Sequence, residues 1–251
     1  MKADSQDNIL AIDIGGSHIK ATILSGEGEK ITEYKKTETP PFGSSEHILD
    51  TIQELTKEFT SYDKISVGFP GYVKNGVVLT APNLGSELWK DIPFAKQLAQ
   101  KMNKPVRLLN DADMQALGIA NGNGFEIVVT LGTGFGTALL MNGNLLPHLE
   151  LAHLPITKEN DYDQYIGEKA LVSIGVELWN RRIKKVIEIL EKVFHFDHLF
   201  ISGGNSRKIN FKLENNITLV SNKDGIAGGA KLWQNKDQYG IISIDPITLK
   251  E

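Results

Sequence analysis

The chain has 251 residues, 41% of them hydrophobic and 23% charged, enough to bury one large core or two modest ones. Its net charge of −4, from 27 basic and 31 acidic residues, argues against nucleic acid as a main partner. No cysteine is present, which excludes disulfides, catalytic thiols and a cysteine-held structural zinc, and the six histidines show no HExxH-like spacing.

The polar start MKADSQDN lacks the basic opening and long apolar core of a signal peptide. No apolar run is long enough to cross a bilayer, so a cytoplasmic chain without membrane contact is expected. Residues 8–24 read as two strands joined by Gly15 and Gly16, and residues 29–37 as a third strand with loose alternation. TPPFG at 39–43 is a loop, because consecutive prolines continue neither regular structure. Ile48, Leu49, Ile52, Leu55 and Phe59 keep helical spacing after Ser45. KISVGFPG is a buried strand running into a Gly-Pro-Gly loop, GVVLTAPN a short strand, and PFAKQLAQKMN a helix. PVRLLNDAD is an apolar strand that stops at polar residues. The pattern then repeats: EIVVTLGTGFGTALLMNG (126–143) is strand, glycine turn, strand. Loops and the segment HLELAHLPI fill 144–172, and a helix from Gly175 to Phe194 carries Trp179, Ile183, Val186, Ile187, Leu190 and Phe194 on one stripe. HLFISGGNS is a buried strand opening into a glycine pair, DGIAGGAKLW begins a last helix, and the tail from about 237 is irregular.

Strands alternating with helices make the class α/β, and two strand–glycine–strand units suggest an internal duplication with a ligand cleft between two lobes. GTGFG at 132–136 is not a dinucleotide fingerprint, since TALLMNG after it reads as a strand closed by a turn and not as a helix. A Walker A loop fails on the same ground and lacks its Gly-Lys-Ser/Thr ending. Both turns expose backbone N–H groups of the kind that cradle anions, with Ser17, Thr133 and Thr137 as further donors, unless they are merely tight β-turns. Asp13 ends a buried strand beside the first turn. It either caps that turn or holds Mg²⁺ through water. Lys20 either balances phosphate charge or points to solvent. In NDAD (110–113) an Asp at the carboxyl end of a strand suits a base that accepts a hydroxyl proton, while Asp111 or Asp113 equally suits the N-cap of the following helix.

Together DIGGSHIK, FPGYVKNGVVLTAPNLGSELW, LLNDAD, TLGTGFGTALLMNG and LELAH, in that order over roughly residues 8–233, resemble the ROK sugar kinases of the actin-like ATPase superfamily, and within them the polyphosphate glucokinases. The resemblance implies a two-lobed actin-like (ribonuclease H-like) fold of duplicated mixed-sheet domains around a central cleft. A smaller lobe would span 1–112, rejoined by the helix near 225–236, and a larger lobe 113–224. It implies transfer of a phosphoryl group from polyphosphate or ATP, with Mg²⁺, to the 6-hydroxyl of glucose. Asp111 matches the base. Asn110, Glu150 and His153 match sugar-binding residues, and Asn83 and the Gly68–Gly71 loop border the same pocket. Gly15, Gly16 and Ser17 match the first phosphate loop and Gly132, Thr133 and Gly134 the second. Asp13 would lie near Mg²⁺, and Gly203 and Gly204 near the nucleoside or the distal phosphates. A homodimer is implied as well.

The chain departs from the family pattern at three places. The cysteine-built zinc site of many members is missing, so other contacts must hold His153. Ala152 replaces the glycine of E-x-G-H, which strains the backbone if that position needs a positive φ. A further sugar-binding Glu falls near DQYIGEKAL, where Asp163 aligns best and Glu168 is its neighbour. For the donor, the cations of WNRRIKKV read as a solvated helix face with Lys184–Glu188 and Glu188–Lys192 pairs. Arg207 and Lys208, following the glycine pair, are better placed for polyphosphate. A kinase for another hexose such as N-acetylmannosamine, or a non-catalytic sugar-binding ROK protein, is the alternative. A repressor would need a helix-turn-helix before the first strand, where only seven residues stand.

Overall fold

The computed structural model describes residues 7–41, 43–82, 84–221, 225–234 and 240–246. Strands β1 (Ile9–Ile14) and β2 (His18–Leu24) form an antiparallel hairpin with Ile14 opposite Ile19, and β3 (Lys35–Glu38) pairs beside β2. The third strand begins later than its alternation predicts. The Thr32 hydroxyl takes the Ile23 N–H, and its carbonyl the Thr22 hydroxyl, where a regular ladder would run. Helix α1 (Ser45–Thr56) is capped by the Ser44 side chain, which accepts from His47 N–H, and buries Ile48, Leu49 and Ile52. After β4 (Lys64–Phe69), the expected strand at GVVLTAPN shrinks to β6 (Val77–Val78) paired with β5 (Val73–Lys74), because the Leu79 N–H turns back to Tyr72 O. Helices α2 (Ser86–Trp89) and α3 (Phe94–Met102) lead to β7 (Val106–Asn110) and α4 (Asp111–Ile119).

The second half begins with β8 (Phe125–Leu131) and β9 (Phe135–Met141), again a hairpin, with Leu131 opposite Phe135, followed by β10 (Asn144–Leu145). A 3₁₀ turn over Leu151–His153 precedes α5 (Tyr162–Ile166), whose Asp161 and Gln164 form a capping box. Helix α6 (Glu168–Phe194) starts about two turns before the predicted Gly175; that glycine, at φ 77° and ψ 164°, breaks it into two segments. Then follow β11 (His198–Ser202), a 3₁₀ turn at Ser206–Lys208, β12 (Ile217–Leu219) and α7 (Gly228–Gln234).

The two five-stranded sheets repeat one plan. Their orders are β3-β2-β1-β4-β7 and β10-β9-β8-β11-β12, with the first three strands antiparallel and the last two parallel to the hairpin's first strand. This is the duplication that the paired glycine turns suggest. The chain divides into two compact units, Met1–Gly118 with Ile226–Glu251, and Ile119–Gly225. The first is the larger, and the boundary follows α4 where the sequence placed it at 112/113 with the larger lobe second. The reason is close packing of α4 on α7: a Cβ on Gly228 would overlap Met114 O.

The first unit packs Ile12, Ile19, Ile48, Val67, Phe69, Trp89, Phe94 and Leu98 on one face of its sheet, with Phe69 and Trp89 ring centroids 4.9 Å apart. Its other face is covered by Ile226, Ala230 and Trp233 of the α7 region against Ile9, Ala11 and Leu24. The second unit buries Ile127, Val129, Leu171, Trp179, Ile183, Val186 and Leu190, the stripe predicted for α6. Removing such apolar area from water, at ~25 cal/mol per Å², is what holds each sheet to its helices. No helix among the described residues is long and apolar enough to cross a membrane.

Candidate active site

In the first unit the parallel strands β1, β4 and β7 deliver their carboxyl ends together. Asp13 is in register with Gly68, and Phe69 with Asn110. This edge is where α/β sheets present ligand-binding groups. The cap at NDAD falls mainly to a third residue, although Asp111 Oδ1 also accepts from Ala112 N at 2.9 Å. Asn110 is the cap: its buried Oδ1 accepts from Ala112 N at 2.8 Å and Asp113 N at 3.3 Å, and its Nδ2 donates to Gly71 O at 3.1 Å. Asp111 therefore sits at the first helical position, half-buried beside Gly68, where a Cβ on that glycine would lie 3.2 Å from Asp111 Cα.

The first glycine turn is braced from β3's end. Thr39 Oγ1 donates to Gly15 O at 2.7 Å and Thr39 N to Ser17 O at 3.0 Å, while Gly15 N donates to His18 O. Gly16 and Ser17 are exposed, and their N–H groups donate to nothing among the described residues. Asp13 is 18% exposed and lies 3.5 Å from Lys20 Nζ, its partner across the hairpin. Burial raises its carboxyl above the ordinary value despite the opposing pull of Lys20. Asn83, expected to border the pocket, lies outside the described residues.

The second turn is held more firmly. Gly132 N closes on Gly134 O, Thr133 O accepts from Glu168 N at 3.1 Å, and Phe135 N donates to Asp163 Oδ1 at 2.7 Å. A Cβ on Gly134 would overlap that same Asp163 oxygen, so packing and not backbone torsion requires glycine there. Asp163, expected to be a sugar contact, thus braces the second glycine turn. Gly203 is at φ 98° with no room for a Cβ beside Leu131, and Asn205 donates from its backbone N to Leu131 O and from Nδ2 to Gly132 O. The Thr137 hydroxyl, read as a possible phosphate donor, is instead buried and bonded to Leu149 O at 3.2 Å.

That bond fixes the segment leading to Glu150. His148, whose role the sequence reading missed, is 8% exposed at the side chain, with Nε2 3.4 Å from Glu150 Oε1. The pair is within ionic reach but not aligned as a hydrogen bond, and Glu150 Oε1 is buried without a donor. The His148 imidazole, with His153 adding to it, lowers the Glu150 carboxyl's pKa against the opposing effect of burial. The signal was available: in an extended segment, residues i and i+2 share a side, which brings His148 to Glu150. His153 is exposed, with Nδ1 3.6 Å from Asp161 Oδ2. Ala152 is buried in the 3₁₀ turn and has no positive φ, so alanine there carries no strain.

Residues 9–156 match the ROK family. The chain belongs to it. A polyphosphate glucokinase of Mycobacterium leprae is 32% identical over 87% of this chain and 72% of its own length. Among solved structures, an inorganic polyphosphate/ATP-glucomannokinase from an Arthrobacter species superposes with a TM-score of 0.82 at 26% identity, covering 92% of this chain and all of that one. A ROK family glucokinase from Streptomyces griseus, in complex with glucose and AMPPNP, shares the fold with a TM-score of 0.74 at 20% identity, covering 91% of this chain and all of that one. The ROK fold accounts for the repeated sheet plan and for the actin-like architecture that the sequence resemblance implies.

Proposed function

We propose that this chain is a sugar kinase that moves the terminal phosphoryl group of polyphosphate or ATP to the 6-hydroxyl of glucose. The observation that carries the reading is at NDAD: Asn110 caps α4, and Asp111, whose Oδ1 accepts from Ala112 N at 2.9 Å, stands at the strand edge in a position suited to proton transfer. In the reaction the sugar oxygen attacks the terminal phosphorus, and Asp111 accepts the hydroxyl proton. The bond from that phosphorus to the rest of the donor breaks, releasing a shortened chain or ADP. Gly16 and Ser17, with unbonded N–H groups, and the Gly132–Gly134 turn offer backbone donors to phosphate oxygens. Lys20 adds a cation, and Glu150 and His153 accept and orient sugar hydroxyls.

Asp13 is the residue that would hold Mg²⁺, through water. Its desolvated carboxylate favours a cation, and a single carboxylate suits an ion carried mainly by phosphate. When bound, Mg²⁺ would neutralise phosphate charge. Exposed Val172 and Val176 on α6 support a homodimer, and a cytoplasmic location and a place in glycolysis accord with a hexose 6-phosphate product. The engagement of Asp163 with Phe135 N–H favours a second reading in the sugar alone, another hexose such as mannose or N-acetylmannosamine.

The test is a matrix of purified protein with several hexoses against ATP or polyphosphate, each with Mg²⁺. Glucose 6-phosphate should appear with at least one donor. A matrix empty of any hexose phosphate removes the kinase reading and leaves a sugar-binding protein.

A further inference from the structure

The loop after β11 contains two cations with a different standing from the others nearby. On α6, Arg182 donates to Tyr165 O at 2.9 Å and stacks 4.3 Å from the Tyr165 ring centroid, with Lys185 Nζ 5.8 Å from the same ring. These side chains are already engaged. Arg207 and Lys208 are exposed and form no ion pair among the described residues. Their backbone, in contrast, is fixed at both ends. At the near end, Asn205 is 8% exposed and ties the turn to Leu131 O at 2.9 Å and Gly132 O at 3.0 Å. Ser206 is 3% exposed and closes on Gly203 O at 2.8 Å. At the far end, Asn180 of α6 is 4% exposed; its Nδ2 donates to Lys208 O at 2.9 Å and its Oδ1 accepts from Asn210 N at 3.0 Å.

A polyanion binds more tightly when several of its charges are met at once by cations whose positions are set beforehand. The Gly132–Gly134 turn and the Arg207–Lys208 turn share one backbone frame, joined through Asn205 and held away from collapse by Asn180. We infer that Asn180 and Asn205 are positioning residues that make the Arg207–Lys208 turn a subsite for donor phosphates beyond the one transferred, and that Asn180 thereby favours a long phosphate chain over a nucleotide. The inference rests on the kinase reading for its kinetic consequence but not for binding, since a phosphate chain can be measured on the protein without sugar. On the helix face, Arg182 and Lys185 are drawn to Tyr165, whereas the Arg207–Lys208 turn is tied by its backbone to the Gly132 turn.

The experiment compares wild type with Asn180→Ala, Asn180→Asp and Lys208→Glu. Binding of fluorescently labelled long-chain polyphosphate is measured by anisotropy at several salt concentrations, and KM and kcat are measured with polyphosphate and with ATP. Thermal melting checks that each variant is folded. Asn180→Ala should weaken polyphosphate binding and raise its KM by about three- to tenfold, the scale of losing one well-placed phosphate contact. Its KM for ATP, its KM for glucose and both kcat values should stay within about twofold of wild type. Asn180→Asp, which keeps the acceptor for Asn210 N–H, should fall between. Lys208→Glu should weaken polyphosphate at least as much and flatten the salt dependence. Equal shifts for polyphosphate and ATP would mark Asn180 as merely structural and overturn the proposal, as would wild-type protein that does not bind polyphosphate. Wild-type binding with loss in Asn180→Ala, but no hexose phosphate from any donor, would uphold the subsite while refuting the kinase reading.

Discussion

In the β1–β2 hairpin the turn stands open: Gly16 and Ser17 are exposed, and among the described residues outside the hairpin Thr39 steadies the backbone. In the β8–β9 hairpin the turn is enclosed by three distant residues, with Asp163 taking the Phe135 N–H, Glu168 N meeting Thr133 O, and Asn205 meeting Gly132 O. Both stretches look alike as sequence, an apolar strand, glycines with a hydroxyl residue, and a second apolar strand. They differ in why glycine is there. Gly134 is required by a carboxylate that arrives from another element, whereas a Cβ on Gly15 would meet only His18 O, at 3.1 Å. A motif thus reports local backbone shape, and the reason for each of its residues comes from what packs on it later in the chain.

The largest effect should come from the unit with the open turn, which also carries Asp111. Asp111→Asn should lower kcat by about 10²- to 10⁴-fold, the usual contribution of a general base, with glucose affinity by calorimetry little changed. A variant retaining most of its turnover would move the chemistry away from that unit.

The contrast between the turns is sharpened by Gly134→Ala against Gly15→Ala. Overpacking against Asp163 should cost roughly 1–3 kcal/mol in urea unfolding, and the change at Gly15 less than about 1 kcal/mol. Asp163→Ala alone should cost about 1–3 kcal/mol by leaving the Phe135 N–H unsatisfied. Combined with Gly134→Ala, it should cost less than the sum, because the clash and its partner leave together. Equal costs at the two glycines, or strict additivity, would break the comparison.

The smallest effect concerns Asp13. Burial raises its pKa, so the folded protein binds that proton more tightly than the unfolded chain, and stability falls as pH rises through the folded value. Asp13→Asn should therefore melt slightly higher than wild type at neutral pH, with the gap closing below about pH 4, where the unfolded carboxyl is protonated too. A variant that melts lower at neutral pH would mean that the Lys20 pair outweighs desolvation.

Both hairpins, the α6 stripe and the strand ending at NDAD were legible because periodicity and turn chemistry act within a few residues. The helical stretch before Gly175 and the truncated strand at 77–78 were not, the strand being cut short where the Leu79 N–H turns back to Tyr72 O. At the site, spacing offered Asp111 or Asp113 as the helix cap and did not point to Asn110. That assignment needed the Asn110 amide bridging α4 and Gly71 O. Asp163 shows the reverse case, a residue found by its resemblance whose contacts are to a turn 28 positions earlier. The solvated reading of the α6 face was incomplete for a similar reason: Tyr165 gathers Arg182 and Lys185, while the expected Lys184–Glu188 and Glu188–Lys192 pairs do not form, in keeping with the small gain from exposed ion pairs.

The close approach of Gly228 to Met114 bears on the order in which the protein matures on the ribosome. The second unit is one continuous stretch, Ile119–Gly225, and all its strands have emerged before α7 is made. The first unit is begun earlier and finished later. The face of its sheet carrying Ile9, Ala11 and Leu24 stays uncovered until Ile226 and Ala230 arrive, and Ser66 Oγ awaits Gly229 O and the Trp233 ring nitrogen across more than 160 residues. Closing a loop of that length is slow compared with local pairing, and an uncovered apolar sheet invites association. The half of the molecule synthesised first is therefore the half that depends longest on chaperoning, and substitutions at Gly228 or Gly229 should show in soluble yield before they show in activity.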